Sequence, residues 1–197
     1  VKNRISGVVL AGGSARRLGG TSKTNIIIGG RSILERITDV IGDIFDELII
    51  VTNNPGEFIT YPQYMITKDK FPGLGPIAGI HSGLLSCSGN AVFVFAGDMP
   101  FLNKMLILEM ISYFETVHGD ILVPKIGTNI EPLHAIYGKR ALVNLEKFIA
   151  SGKSMAIRDF ILSRKYSAFN VEDTPDNRIA FTNINSPQDL NSLSARF

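Results

Sequence analysis

A chain of 197 residues, 45% of them hydrophobic, is long enough for one domain with a sizeable core. Its 20 Lys and Arg against 18 Asp and Glu leave a formal charge of +2, which excludes the wide cationic face of a general nucleic-acid or membrane-surface binder. Cys87 is the only cysteine, so an intrachain disulfide and a cysteine cluster for zinc or iron–sulfur are excluded as well.

Short β-branched runs alternate with longer segments of helical period, the pattern of an α/β domain with a mostly parallel central sheet flanked by helices. No repeat, low-complexity tract or linker divides it. The first strand is expected over 5–10. Too few apolar residues precede the first glycines for a signal peptide, and no stretch approaches the ~18–20 apolar residues of a membrane span, so a reducing, cytoplasmic home is expected.

Directly after that strand comes Leu10-Ala11-Gly12-Gly13-Ser14-Ala15-Arg16-Arg17-Leu18-Gly19-Gly20-Thr21-Ser22-Lys23. Its glycines let backbone N–H groups approach an anion closely, and Arg16, Arg17 and Lys23 add full charges. Six cations, from Lys2 to Arg31, precede the first acid, Glu35, which leaves 14 cations against 18 acids in the rest of the chain. A single Gly-Gly pair would read as a flexible loop with solvated cations. Two pairs, no acid and a buried strand in front favour a phosphate cradle. It is not a P-loop, because G-x-x-x-x-G-K-[ST] does not occur; at Gly152-Lys153-Ser154 the place of the first glycine is taken by Lys147. A dinucleotide G-x-G-x-x-G is likewise missing from this loop.

Ser32 then caps a helix whose apolar stripe is Ile33, Leu34, Ile37, Val40, Ile41 and Ile44. Strands follow over 48–52 and 64–67. The stretch Asp69-Lys70-Phe71-Pro72-Gly73-Leu74-Gly75 leads into a helix over 76–85. Its glycines would admit a flat base against the backbone and Asp69 could accept hydrogen bonds from a nucleotide, although the same glycines could serve loop geometry alone. The most apolar strand, 91–96, ends in Gly97-Asp98-Met99-Pro100. A carboxylate at the C-terminal edge of a central strand sits where open α/β sheets place their ligands. Asp98 could merely cap the turn, but beside a triphosphate it would hold Mg²⁺, and the cationic loop gives that metal a reason.

Asn103 caps a helix over 104–115, and strands are expected over 121–123 and 135–137. Helices follow over 141–150 and 155–162, with Gly152 as the C-cap of one and Ser154 as the N-cap of the next. Residues 172–178 read as a surface connection, and Ser186-Pro187 as the start of a last helix. None of the three histidines forms a metal-ligand spacing with another, and His134 reads as a satisfied core or loop residue. Gly79-Ile80-His81-Ser82-Gly83 places Ser82 one position too late for the nucleophile elbow of a serine hydrolase.

Four motifs together resemble the molybdenum cofactor guanylyltransferases. They are the Leu-Ala-Gly-Gly loop over 10–23, Gly75-Pro76-Ile77-Ala78-Gly79, Asp98-Met99-Pro100-Phe101, and Asn183-Ile184-Asn185-Ser186-Pro187-Gln188-Asp189-Leu190, in the family's order and close to its spacing. The resemblance implies a Rossmann-like nucleotidyltransferase fold, a single domain over 1–197. It also implies transfer of GMP from GTP to molybdenum-loaded molybdopterin, with pyrophosphate released. By position, the backbone of Leu10, Ala11, Gly12 and Gly13 would contact the guanine nucleotide, Lys23 would bind phosphate, Asp69 would contact the nucleotide and Asp98 would ligate Mg²⁺. Arg17 and Lys23, with Arg16 beside them, would offset charge on the triphosphate and the leaving pyrophosphate. Asn183 and Asn185 would fall near the pterin.

Where the family often has Asn at the end of the second strand, this chain has Thr52, followed by Asn53 and Asn54. A hydroxyl lacks the paired donor and acceptor of an amide, so the nucleotide contact falls to Thr52 or, with a shifted backbone, to Asn53. Implied partners are GTP, molybdopterin, and proteins that donate the labile cofactor or receive it as apo-molybdoenzymes; neither nucleic acid nor membrane is implied. Cytidylyltransferases acting on the same pterin, or on isoprenoid or sugar precursors, share the fold but usually show Leu-Ala-Ala-Gly in the first loop. A non-catalytic pterin carrier would keep the cationic pocket without needing Asp98.

Overall fold

Residues 5–12, 22–184 and 189 are described by the computed structural model. All six residues of β1 (Ile5–Leu10), the polar Ser6 included, are buried, as a strand covered on both faces requires. A small hairpin, β2 (Ile27–Ile28) with β3 (Arg31–Ser32), leads into α1 (Ile33–Ile41). Ser32 caps α1 through a reciprocal pair: its Oγ accepts from the Glu35 N–H at 3.1 Å, and the Glu35 carboxylate accepts from the Ser32 N–H at 2.6 Å.

Next come β4 (Leu48–Val51), β5 (Met65–Thr67), α2 (Pro76–Ser86) and β6 (Ala91–Ala96). α3 (Lys104–Thr116) starts where Asn103 Oδ1 accepts from the N–H groups of Met105 and Leu106. The remaining elements are β7 (Ile121–Ile126), β8 (Asn129–Ile130), β9 (His134–Gly138), α4 (Leu142–Ala150), α5 (Ile157–Leu162), β10 (Ser167–Val171) and α6 (Pro175–Ala180).

Apart from the β2–β3 hairpin, the described strands form one sheet in the order β10-β7-β9-β6-β1-β4-β5, with β8 paired to β7 outside that path. β9 runs antiparallel to both neighbours; the other pairs along the path are parallel. Alternate residues feed two cores. Val9, Phe93 and Phe95 meet α1 and α3 through Ile33, Ile37, Ile107 and Met110, while Val8, Val92 and Val94 meet α2, α4 and α5 through Ile80, Leu84, Leu145 and Phe160.

Some expectations shift. Residues 172–178, expected as a surface connection, contain the start of α6, capped where Thr174 Oγ1 accepts from the Asn177 N–H, with Pro175 in its first turn. Ser154 is not the cap of α5. That position falls to Ala156, and the Ser154 hydroxyl instead accepts from the Ala156 N–H and donates to Asp159 Oδ2. The C-cap of α4 is likewise Ser151, and Gly152, expected in that place, follows it with φ +64° and its N–H on the Ile149 carbonyl. The helix expected from Ser186-Pro187 lies outside the described residues.

Candidate active site

Three strands end at one level, because Leu10 pairs with Val51 on one side and Ala96 on the other. The chain segments leaving that edge are stitched together: the Ala11 N–H donates to Val51 O, Gly97 N–H to Leu10 O, and Thr52 N–H to Thr67 O. A Cβ at Gly97 would lie 2.6 Å from both Leu10 O and Thr24 Cγ2, so only glycine lets the Asp98 turn approach β1 this closely. α2 is seated in the same way. At Gly79 and Gly83, a Cβ would meet Leu10 Cδ2 at 2.8 Å and Val8 Cγ1 at 2.9 Å. The helix therefore rests directly on β1, and its N-terminus, at Gly75 and Pro76, faces the edge where the strands end.

A cavity of about 380 Å³ lies over this edge, within the range of small-molecule sites. Its wall includes Leu10, Ala11, Gly12, Lys23, Asn53, Asp69 and Asp98, together with Gly73 and Gly75 from the loop before α2 and Pro76, the first residue of α2. Lys23 Nζ donates to Asp98 Oδ2 at 2.9 Å, and both side chains are only partly exposed. Asp69 has one oxygen, Oδ2, accepting from Asn53 Nδ2 at 3.0 Å. Its other oxygen, Oδ1, is buried with no hydrogen-bond partner among the described residues. Burial pushes the Asp69 carboxyl above its ordinary range, and the Asn53 hydrogen bond works against that shift. The loop carrying Asp69 is pinned to α2, because the Lys70 N–H donates to Ser82 Oγ at 3.0 Å.

Of the residues singled out in the sequence, Leu10, Ala11, Gly12, Lys23, Asp69 and Asp98 come together here. Gly13, Arg16, Arg17 and Asn185 lie outside the described residues. Thr52 is 1% exposed, is not part of the cavity wall, and spends its hydroxyl on accepting from the Asn54 N–H at 3.1 Å. Asn53, the next residue, lines the cavity in its place. Asn183 is exposed beside the site, since the next residue, Ile184, donates its N–H to the Asp98 carbonyl at 2.8 Å.

Sequence reasoning missed Ser22, Glu57 and Ser82, whose roles rest on contacts between segments far apart in the chain. It also took His134 to be satisfied. His134 is fully buried with neither ring nitrogen hydrogen-bonded to any of the described residues, caged edge-on by Phe93, Phe95 and Phe181 at centroid distances of 5.2, 5.5 and 5.2 Å. An N–H facing a phenyl ring is a weak substitute for a hydrogen bond. Burial drives its pKa down to about 3, so the imidazole is neutral at physiological pH.

No group of three or more His, Cys, Asp or Glu side chains among the described residues could hold a metal by itself. One carboxylate, Asp98, faces the cavity beside a cation, a donor set suited to Mg²⁺ arriving with phosphates and keeping its waters. No described helix is long and apolar enough to cross a membrane.

A family model described as a MobA-like NTP transferase domain matches residues 7–166. The molybdenum cofactor guanylyltransferase of Desulfosudis oleivorans is 31% identical over 193 residues, covering 97% of this chain and 95% of its own. Molybdopterin-guanine dinucleotide biosynthesis protein A from Archaeoglobus fulgidus superposes with a TM-score of 0.80 at 26% identity, covering 97% of each chain. The 4-diphosphocytidyl-2C-methyl-D-erythritol synthase of Anaerococcus prevotii shares the fold, with a TM-score of 0.76 at 18% identity over 99% of this chain and 96% of its own. The glycine-rich strand end, the Asp98 turn and these matches converge: the chain belongs to the MobA-like NTP transferases, and within them to the molybdenum cofactor guanylyltransferases.

Proposed function

We propose that the protein transfers GMP from GTP to molybdenum-loaded molybdopterin in a Mg²⁺-dependent reaction, forming the guanine dinucleotide cofactor and pyrophosphate. The observation that carries this reading is the convergence of the Leu10–Gly12 backbone, Lys23, Asp69 and Asp98 on one cavity. An oxygen of the pterin phosphate attacks the α-phosphorus of GTP, and the bond from that phosphorus to the bridging oxygen breaks, so pyrophosphate leaves with the electron pair. The attacking phosphate is already ionised at neutral pH, so the chain needs neither a general base nor a protein nucleophile. What it supplies is position and charge.

The backbone of Leu10, Ala11 and Gly12 would lie along the nucleotide. Asp69 Oδ1, a buried acceptor without a donor among the described residues, suits the N–H groups on the Watson–Crick edge of guanine. Cytosine offers that edge a ring acceptor in place of the ring N–H. Lys23 would turn from Asp98 to the phosphates, with Arg17 adding charge. Asp98 would then hold Mg²⁺, which when bound would neutralise charge on the triphosphate and the leaving group. Asn183, beside Asp98, would face the pterin.

Small-molecule partners would therefore be GTP and molybdopterin, with proteins that hand over or accept the labile cofactor as macromolecular partners. Calorimetric titration with Mg²⁺ present tests the nucleotide assignment. GTP is expected to bind at least tenfold more tightly than CTP, and equal or tighter CTP binding would overturn it.

A further inference from the structure

We infer that Glu57 is a positioning residue for Lys23, holding residues 22–25 so that the Lys23 side chain, which meets Asp98 in this structure, starts within reach of the place where the terminal phosphates of a nucleotide would lie. The inference rests on the reading of the cavity as a nucleotide triphosphate site. Glu57 belongs to a short 3₁₀ turn, Pro55–Phe58, between β4 and β5, and the turn is anchored by Phe58, which is buried in the core beneath it. One oxygen, Glu57 Oε2, accepts from the Ser22 N–H at 3.1 Å and from Asn25 Nδ2 at 2.9 Å.

Those two donors bracket Lys23. On the inner side the same segment is fixed by the Ser22 hydroxyl, which donates to Ala11 O at 3.1 Å and shares a hydrogen bond with Thr24 Oγ1 at 2.7 Å. Thr24 is fully buried against the Gly97 turn. Segment 22–25 is thus clamped between the end of β1 and the Glu57 carboxylate, and Lys23 points from that clamp to Asp98.

Charge and position predict opposite signs, which makes the proposal decidable. An acid next to a phosphate site weakens anion binding if it acts by charge, so its removal would tighten GTP. If it acts by holding Lys23, its removal weakens GTP while affecting GMP little, because the ammonium serves the terminal phosphates. Since both hydrogen bonds fall on a single oxygen, the carbonyl of a glutamine can accept both without the charge.

The experiment is calorimetric titration of the full chain with GTP and with GMP, read as the ratio of the two affinities. The variants are Glu57→Ala, Glu57→Gln, Asn25→Ala, Lys23→Ala and the Lys23→Ala/Glu57→Ala double variant, with thermal melts to confirm folding. The ratio is expected to fall about tenfold in Glu57→Ala, to fall less in Asn25→Ala, and to stay near the unmodified value in Glu57→Gln. The double variant should match Lys23→Ala alone. An unchanged or higher ratio in Glu57→Ala overturns the proposal, as does an additive double variant. If Glu57→Ala does not fold, an Asn25→Ala ratio equal to that of the unmodified protein overturns it instead. No preference for GTP over GMP in the unmodified protein would remove the triphosphate reading and this proposal with it, a result distinct from a preference that Glu57→Ala preserves.

Discussion

At the scale of single residues, the site is defined by polar atoms whose partners are missing or shared. Asp69 Oδ1 and the two nitrogens of His134 are all buried without hydrogen bonds among the described residues, yet they mean different things. Asp69 stands on the wall of a cavity, so its deficit can be met by a ligand. His134 is sealed among three phenyl rings, so its deficit is a standing cost, tolerable because the ring is neutral. With its pKa lowered from 6.5 to about 3 by burial, the folded protein refuses a proton that the unfolded chain accepts. The stability tied to His134 is therefore complete above about pH 6.5 and drains away as the pH falls towards 3, by up to ~1.4 kcal/mol per pH unit. Denaturant titrations between pH 7 and 4.5 should show a shallower pH dependence in His134→Leu than in the unmodified protein; parallel curves would refute the assignment. In the sequence, His134 has no metal-ligand spacing to another histidine and reads as a satisfied core or loop residue. Its phenyl cage was not legible there, because Phe181 lies 47 residues away along the chain.

At the scale of elements, glycines set the distances on which the site depends. α2 sits on β1 because Gly79 and Gly83 present no side chain to Leu10 and Val8, and the Asp98 turn reaches Leu10 O because Gly97 presents none to it. At Gly97 the obstacles are a backbone oxygen and the methyl of a buried threonine, neither of which can swing aside as the end of a flexible side chain can. Gly97→Ala should therefore push the Asp98 turn off β1, cost about 1–3 kcal/mol in denaturant unfolding, and weaken GTP binding. Unchanged stability and affinity would show that the turn has room to spare.

The strands at the heart of the sheet were legible because runs such as Ala91–Ala96 are apolar on both faces. β10 and α6 were not. β10 is an edge strand whose residues are mostly half-buried, and α6 buries only Ala180, so neither carries an apolar stripe. The cap and first-turn proline of α6, Thr174-Pro175, were present as a signal but were outweighed by its polar composition.

At the scale of the whole molecule, the near-neutral charge conceals an uneven arrangement. The acid-free first 34 residues supply Lys23 on the cavity wall, and the acids Glu57, Asp69 and Asp98, which lie on or beside that wall, come from the following segments. Parallel β4, β1 and β6 bring these segments to one edge, and the antiparallel β9 returns Leu133 to the same level, where its carbonyl accepts from Ala96. Leu10 to Gly12, Asp69 and Asp98 were legible because they lie at or just past the ends of strands. The clamp around Lys23 was not, because it joins segments 32 to 35 positions apart.

The most direct test of guanylyl transfer is pyrophosphate release from GTP, Mg²⁺ and molybdenum-loaded molybdopterin, measured for the unmodified protein and for Asp98→Ala. The account predicts release matched by GMP incorporated into the pterin product, and its loss in Asp98→Ala with the far-ultraviolet circular dichroism unchanged. No release from the unmodified protein, or undiminished release from Asp98→Ala, would contradict it.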